Sequence, residues 1–567
     1  MNSTDPAHNQ QPPGGEQPGA PQPFWEDANS DFWLRQTAPT RIVDSQPPGG
    51  SIVVSSGANS GPPRWQALRR GGPRVSRRTL LVGAGIAGIA TVAVAAGVGV
   101  YSLAGSERNS VAPAGAQQIA HLLRRAGFGA APGEIETYSA LGINGAVDRL
   151  LNFHAIPNTL MDQRIAAARF DFNNSQDILR WWLARIVYSA HPLEEKMTLF
   201  WHGLLTSSFR KVGGQRGFAL IKQNNDFLRK NAFARFDDIL AGITIDPAML
   251  HWLDGNNSRA GSPNENFARE EMELFSMGVG NYTQTDIEQS ARALTGWRVN
   301  PLTSEAVLIP RLHDNGQKTF LGQKGAFDYK DIARIICAQA VTPKFLATRL
   351  WRFFAYENPG AADIQPLVDA YHSSNHSIAA MMQALLTSPA FYSPQAYRAR
   401  IKSPVEFVAG AFRNLGLSSI EQGKRNSTLG ALTVMGQGLY NPPNVAGWPG
   451  DQVSASWINT GAWMTRINTV NALVAYMNAS PDFMRRLQSD IEKQQIKTPE
   501  RFVDYALMQL IDGQIDSARR QMLIDYLNSG ANGGGAGVKL VGGKSLSGGS
   551  VRGLYYLILS MPEYQLD

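Results

Sequence analysis

One uncharged apolar stretch constrains this chain more than any other feature. From Thr79 to Leu103, about 25 residues carry no charge and are rich in Ala, Gly, Val and Ile; about 20 such residues in a helix span a bilayer core. Six arginines precede the stretch within residues 64–78, whereas Arg108 alone lies close behind it. The positive-inside rule therefore predicts a membrane segment over residues 76–104 that keeps the N-terminus in the cytoplasm and places the rest outside.

The start of this segment, Ser76-Arg77-Arg78-Thr79-Leu80-Leu81, resembles a twin-arginine export signal. It departs from the usual pattern at Leu80, where Phe is common, and at Val82, where Lys is common. Small residues allow signal cleavage near 114–116. Both a cleaved signal and a retained anchor fit, and the long leader favours the anchor. A buried core helix is disfavoured by the length and the charge asymmetry. The expected location is the cytoplasmic membrane, with the C-terminal domain extracytoplasmic.

Residues 1–75 have the composition of a disordered tail, because they hold 12 of the 32 prolines and nine glycines. One island, residues 24–35, combines aromatic and acidic side chains. It either docks into a groove of a partner or is part of a flexible tail without a partner. An exported protein is a separate expected partner of the chain. Residues 105–116 are expected to be a linker.

The formal net charge of +7 is spread thinly over 567 residues. Nucleic-acid binding needs clustered Lys and Arg, so nucleic acid is excluded as an expected partner. The single cysteine, Cys337, lies in an apolar run and indicates a small buried side chain rather than a disulfide or a thiolate metal site.

From residue 117 onward, apolar residues recur at helical intervals, which predicts an all-α fold of one or two lobes. Strand signals are scarce: residues 306–309 and 318–321 predict at most one small β-hairpin. We expect a helical domain over 117–480 and a helical extension over 481–567 that contains a Gly-rich loop at 529–549. Gly542-Gly543-Lys544-Ser545 lacks the glycine spacing of a phosphate-binding loop.

The most chemistry-like stretch is residues 264–275, which predict a helix with a polar face. Arg269, Glu270 and Glu273 are the catalytic candidates, because carboxylates on one face either hold a divalent cation or divide into acid and base. Asn264, Glu265 and Asn266 are binding candidates on the same helix. The alternative is a solvated face or an Arg269–Glu273 pair.

Other polar and aromatic residues supply weaker candidates. Residues 254–265 follow the ligand spacing of a calcium loop from Asp254 to Glu265, but Arg259 occupies the position that needs Gly. His202 is a third metal candidate, and its alternative is a hydrogen-bonded structural histidine. The remaining binding candidates are loop residues, and the two tryptophans either stack on sugars or pack in the core: Trp297, His313, Asp314 and Trp448.

Several ordered segments resemble the bacterial domain-of-unknown-function family 1800 over about residues 117–480. They are HLLRRAGFG (121–129), EKMTLFWH (195–202), DPAML (246–250), PNENFARE (263–270) with ELF (273–275), ALTGW (293–297), HD (313–314) with KTFLG (318–322), and PPNVAGWP (442–449). The resemblance implies an exported protein, often behind a twin-arginine signal, whose activity is not established. Family members often carry a second His two residues after position 202. Leu204 stands there, which weakens any His-x-His metal site.

These features together favour an exported, membrane-anchored protein of envelope assembly or surface-polymer handling, with the membrane and an envelope polymer as partners. One alternative is a metal-assisted hydrolase or transferase that uses the 264–275 carboxylates and a divalent metal ion. The other is a non-catalytic scaffold or binding module.

Overall fold

The computed structural model describes residues 115–417, 419–420, 427–530 and 535–567. The predicted tail, its aromatic island, the membrane segment and most of the linker lie outside these residues. Within them, no helix combines the length and the apolar character that crossing a membrane requires.

Helices account for most of this part of the chain, which confirms the all-α prediction. The first ten are Ala116–Arg125, Glu134–Ser139, Gly142–Leu151, Thr159–Ala168, Ser175–Tyr188, Pro192–Leu204, Phe209–Val212, Gly214–Lys230, Phe236–Thr244 and Pro247–Trp252. The next seven are Glu265–Glu273, Gln284–Ala293, Tyr329–Cys337, Val341–Phe354, Ala361–Ser373, Ile378–Thr387 and Pro404–Asn414. The rest are Ser427–Val434, Pro449–Gln452, Thr460–Ala479, Pro481–Lys493, Pro499–Ile511, Ser517–Asn528, Gly548–Ser560 and Pro562–Gln565.

Local sequence signals set many helix starts. Pro192, Pro404 and Pro499 each stand in the first turn, where a missing N–H costs no hydrogen bond. Reciprocal capping boxes close the N-termini of Gln284–Ala293 and Tyr329–Cys337.

The strands correct the predicted hairpin. Ala306–Leu308 pairs with Trp297–Val299, and Lys318–Phe320 pairs with Gln323–Gly325, so the expected pairing between the 306 and 318 segments is wrong. Val538–Lys539 and Ser545–Leu546 form another two-stranded sheet. The described residues thus hold three small antiparallel sheets where at most one hairpin was expected.

One cluster of buried apolar side chains runs from Ile119 to Tyr564 and includes the fully buried Trp201 and Trp351. The C-terminal helices share it through side chains such as Leu554. Cys337 is free and buried among apolar residues, as its sequence context predicted.

Candidate functional site

The polar helix of the sequence analysis forms at Glu265–Glu273. Asn264 caps it: its Oδ1 accepts the Phe267 N–H at 3.1 Å, and its Nδ2 donates to the Leu253 carbonyl at 2.7 Å. Asn264 therefore has structural partners for both ends of its amide.

The three catalytic candidates on this helix are half-buried. Tyr282 donates to Glu273 Oε2 at 2.7 Å, and Arg269 donates to Gln284 Oε1 at 3.0 Å. Partial burial raises the pKa of Glu270, and the nearby Glu273 carboxylate raises it to a smaller extent. Gln284 Nε2 also donates to Glu265 at 2.8 Å, whereas Asn266 is exposed. The polar face thus makes hydrogen bonds to the next helix, and its catalytic role stays a prediction.

The most buried carboxylate of this helix is Glu271, which is 1% exposed. Its Oε1 lies 2.5 Å from Thr244 Oγ1, and its Oε2 has no partner. Thr244 also lies 2.7 Å from the Leu240 carbonyl, and its one hydroxyl proton cannot serve both acceptors. Burial raises the pKa of Glu271 to about 7. A neutral Glu271 that donates to Thr244 satisfies both contacts.

The calcium-loop residues have protein partners. Asp254 pairs with Lys211 at 2.7 Å, and Asn256 Oδ1 accepts the Val299 N–H at 2.7 Å. Among the residues that the structure describes, no group of three or more His, Cys, Asp or Glu is arranged to hold a metal ion. Asp254, Glu265 and His202 therefore do not come together as a metal site.

Three of the loop candidates, Trp297, His313 and Asp314, lie close to the C-terminal end of the helix Gln284–Ala293. The His313 Nδ1 lies 2.9 Å from the Thr295 carbonyl, and Asp314 forms a two-pronged ion pair with Arg292 at 2.7 and 3.1 Å. Half-buried Trp297 packs edge-on against Tyr329, with ring centroids 5.2 Å apart.

His202 is fully buried, and neither ring nitrogen has a hydrogen-bond partner. The rings of Trp182, Tyr440 and Trp448 lie 5.3–5.6 Å from it. Burial lowers the pKa of His202 to about 3, so the ring is neutral. Trp448 is also fully buried, which leaves no open indole face for a sugar.

A different set of charged residues converges in the interior. Arg124 pairs with Asp512, Arg125 pairs with Asp567 at 2.8 Å, and Lys196 pairs with Glu406. All six side chains are at most 10% exposed. Two further contacts join the pairs: Arg124 lies 3.7 Å and Lys196 lies 3.8 Å from Asp567. We call these six residues the buried charge network.

The network is anchored to neighbouring elements. Arg125 donates to the Phe353, Phe354 and Ala355 carbonyls at 2.7–3.3 Å, which caps the C-terminal end of the helix Val341–Phe354. Tyr397 donates to Asp512 at 3.0 Å, and the Ser403 N–H donates to Glu406 at 2.7 Å. Such fixed donors reduce the cost of burying the carboxylates.

Lys402 is a cation beside this network that forms no ion pair. It is 4% exposed, and its ammonium lies 3.9 Å from the centre of the Tyr564 ring but forms no ion pair with any described residue. Burial lowers the pKa of Lys402 to about 7, although Asp567, Asp512 and Glu406 oppose this shift. The nearby buried Arg466 donates to the Lys402 carbonyl at 2.6 Å and likewise has no described carboxylate partner. Neither Lys402 nor Arg466 therefore forms an ion pair with a carboxylate among the residues that the structure describes.

A narrow cleft reaches this region, and its volume is about 370 Å³ when the adjoining open solvent is included. Its charged and amide lining comes from distant parts of the chain: Arg124, Lys402, Glu406, Asn414, Gln509, Asp512 and Asp567. The sequence analysis did not select any of them. The available signals were two adjacent arginines at the end of an amphipathic helix and a lysine inside the 195–202 motif.

Most of the residues that line the cleft lie in a part of the chain that matches one protein family. The sequence profile of the family described as protein of unknown function (DUF1800) matches residues 121–566. The match begins within the helix Ala116–Arg125 and continues past residue 480 through the C-terminal helices. No curated protein and no solved structure matches the chain.

Proposed function

This chain belongs to the DUF1800 family, and we propose that it is an exported, membrane-anchored cell-envelope protein whose helical domain binds an anionic group of an envelope polymer. The location is supported by the apolar stretch 79–103 and by the arginines that precede it. The ligand class is supported by Lys402.

The single observation that carries the ligand class is a buried lysine without an ion pair beside a narrow cleft. Three cations of the buried charge network are matched by three carboxylates, so each pair is close to neutral. Lys402 adds a positive charge that forms no direct ion pair with any described carboxylate. A sulfate, phosphate or carboxylate group in the cleft supplies that missing partner through a charge-assisted hydrogen bond.

Sulfate titration of the purified full-length chain at pH 6 tests the ligand class. We expect Lys402→Met to weaken sulfate binding at least tenfold, because it removes the unpaired charge. Lys344→Met is the matched control, because Lys344 is an exposed lysine on the helix Val341–Phe354; it should bind sulfate like the parent chain. Equal affinities for the parent and Lys402→Met, or no binding by the parent, would refute the anion site.

Protease added to intact spheroplasts tests the location. The proposal predicts that the domain is degraded while a cytoplasmic marker protein survives. Replacing Arg77 and Arg78 with lysine should retain the chain in the cytoplasm if the twin-arginine route is used. A domain that stays protected in the parent strain, with its leader intact, would overturn the location and leave the sulfate result to stand by itself.

A further inference from the structure

The hairpin formed by Trp297–Val299 and Ala306–Leu308 exposes apolar side chains to solvent. Leu302, at its tip, is 88% exposed, the largest exposed fraction of any large apolar side chain in the described parts of the chain. Leu308, on the second strand, is 41% exposed. A single apolar side chain on a surface is common and carries little meaning without further evidence. The surroundings of Leu302 supply that evidence.

Hydrogen bonds hold the tip of the hairpin in a defined conformation. The Asn300 Oδ1 accepts the Leu302 N–H at 2.9 Å, and the Asn300 N–H donates to the Glu305 carbonyl at 2.8 Å. The Ser304 N–H donates to the Asn300 carbonyl, also at 2.8 Å. Polar contacts therefore order the backbone of the tip, while Leu302 projects its side chain into solvent.

Three arginines lie together at the base of the hairpin. Arg298 donates to the Ser258 carbonyl at 2.9 Å, which places it beside Arg259. Arg311 reaches the same turn, because the carbonyl of the residue that follows it accepts the Ala260 N–H at 2.8 Å. We call these three arginines together with the leucine at the tip, residue 302, the hairpin patch.

The arginines of the hairpin patch have no carboxylate partners. None of the three forms an ion pair with any residue in the described part of the chain. Burial lowers the pKa of Arg298, and the positive charge of Arg259 lowers it further. Glu305 is the only acidic residue of the hairpin, and the nearby Asp254 carboxylate pairs with Lys211 at 2.7 Å. The hairpin patch is therefore positively charged around its apolar tip.

We propose that the hairpin patch docks onto the surface of an anionic phospholipid bilayer. The arginines contact the headgroup phosphates, and Leu302 enters the boundary between the headgroups and the acyl chains. A lipid surface supplies what the patch lacks, because negative groups lie there directly beside an apolar phase. A single projecting leucine can enter between lipid headgroups, whereas a protein partner would need a pocket shaped for it.

This inference rests on the proposed membrane anchor. Three charges and one apolar side chain make a weak contact, which becomes effective only when tethering raises the local concentration of the domain. The proposed anchor ends at about residue 103, and the described domain begins at residue 115. The connecting residues can span at most about 40 Å, so the start of the domain stays close to the bilayer.

Lipid quenching of a fluorophore on the full-length chain tests this contact. The chain is reconstituted into phosphatidylcholine vesicles with or without phosphatidylglycerol, and a nitroxide on the acyl chains is the quencher. Thr303→Cys places the label beside Leu302, and Cys337 stays unlabelled because it is buried. Phosphatidylglycerol should increase quenching at residue 303 at least twofold and leave it unchanged for Ser373→Cys, an exposed position on the helix Ala361–Ser373. Equal quenching at both positions, or none at residue 303, would overturn the inference.

Charge variants assign the contact to the arginines. Replacing Arg259 and Arg311 together with glutamine should reduce quenching at Thr303→Cys at least twofold in vesicles that contain phosphatidylglycerol. The matched control replaces Arg169 and Arg552 with glutamine, since both are exposed arginines on other helices or their ends. Its quenching should equal that of the parent chain. Parent-like quenching in the Arg259 and Arg311 variant would also contradict the proposed docking.

Flotation of the same vesicles separates this contact from the anchor. A chain that floats with both kinds of vesicle but is not quenched at residue 303 refutes the docking alone. A chain that floats only with phosphatidylglycerol refutes the anchor and supports the docking. A chain that floats with neither refutes both proposals. Leu302→Asn should float like the parent and lose at least half of the quenching at residue 303, because the apolar tip is removed.

Discussion

Lys196 illustrates how one residue holds charged groups in the interior. Its ammonium is fully buried, pairs with Glu406 and lies over the rings of Phe128 and Phe353 at 5.0 and 5.5 Å. Removing one partner of a buried pair leaves the other charge without compensation. The two ions therefore depend on each other much more than an exposed pair would.

We predict that Lys196→Met destabilises the domain by about 3–5 kcal/mol, because the Glu406 carboxylate stays buried without its ammonium partner. Urea unfolding measures the effect, with Lys344→Met as the exposed control. A loss below about 1 kcal/mol would show that the buried charge network does not depend on this pair.

Lys402→Met should have the opposite effect on stability. It removes a buried cation that forms no described ion pair, so the free energy of unfolding should rise by roughly 1–3 kcal/mol. Increased stability together with lost sulfate binding is the expected signature of a residue kept for function. A variant less stable than the parent would indicate that Lys402 has a structural role.

Glu271 gives the domain a pH-dependent stability. Its pKa is about 7 in the folded chain and near the ordinary 4.5 when unfolded, so the folded state binds more protons between these values. The contribution of Glu271 to the free energy of unfolding is therefore fully present below about pH 4.5 and declines as the pH rises toward 7. Glu271→Gln should match the parent near pH 4.5 and exceed its stability by roughly 1–3 kcal/mol at pH 7.5. Parallel unfolding profiles of parent and variant across this range would refute a neutral Glu271.

The buried charge network could not be predicted from the sequence, since its paired residues are far apart in the chain. Arg125 and Asp567 are 442 positions apart, and Lys196 and Glu406 are 210 apart. Helical periodicity identifies the polar face of residues 264–275, but it does not show which polar side chains become buried. Glu271, which directly follows the candidate Glu270, was therefore not recognised.

At the level of elements, two helical glycines should respond differently to the same substitution. Gly203→Ala places a Cβ 2.5 Å from Asp451 Oδ2, whereas a Cβ on Gly430 in the helix Ser427–Val434 meets nothing within 4 Å. We expect Gly203→Ala to destabilise by about 1–3 kcal/mol and Gly430→Ala to stabilise by about 0.5–1 kcal/mol. Thermal unfolding measures both changes. Equal shifts in the two variants would contradict the close packing of residue 451 on the helix end.

Helix starts were predictable because their signals are local, as at Pro192 and Pro404. The predicted hairpin was wrong for a reason that is also local. A two-residue turn at Leu321-Gly322, both with positive φ, joins Lys318–Phe320 to Gln323–Gly325. Such turns usually carry Asn or Asp before Gly, and leucine rarely adopts this conformation. The sequence therefore gave no turn signal at the position where the chain reverses.

In the molecule as a whole, the first described helix and the last residues of the chain meet at the buried charge network. Arg124 contacts both Asp512 and Asp567, and Arg125 pairs with Asp567. The family match over residues 121–566 includes almost all of this arrangement. We therefore expect the anion site to require the C-terminal helices as well as the 117–480 region.

The pH dependence of sulfate affinity tests the anion site most directly, because sulfate keeps its charge from pH 6 to 9. Binding requires a protonated Lys402, whose pKa is about 7 in the free chain. We predict a nearly constant affinity below pH 7 and a fall of about tenfold per pH unit above it, until the pKa of the bound state is reached. Arg124 stays charged throughout and cannot produce this fall. A sulfate affinity that does not change between pH 6 and 9 would contradict the role of Lys402.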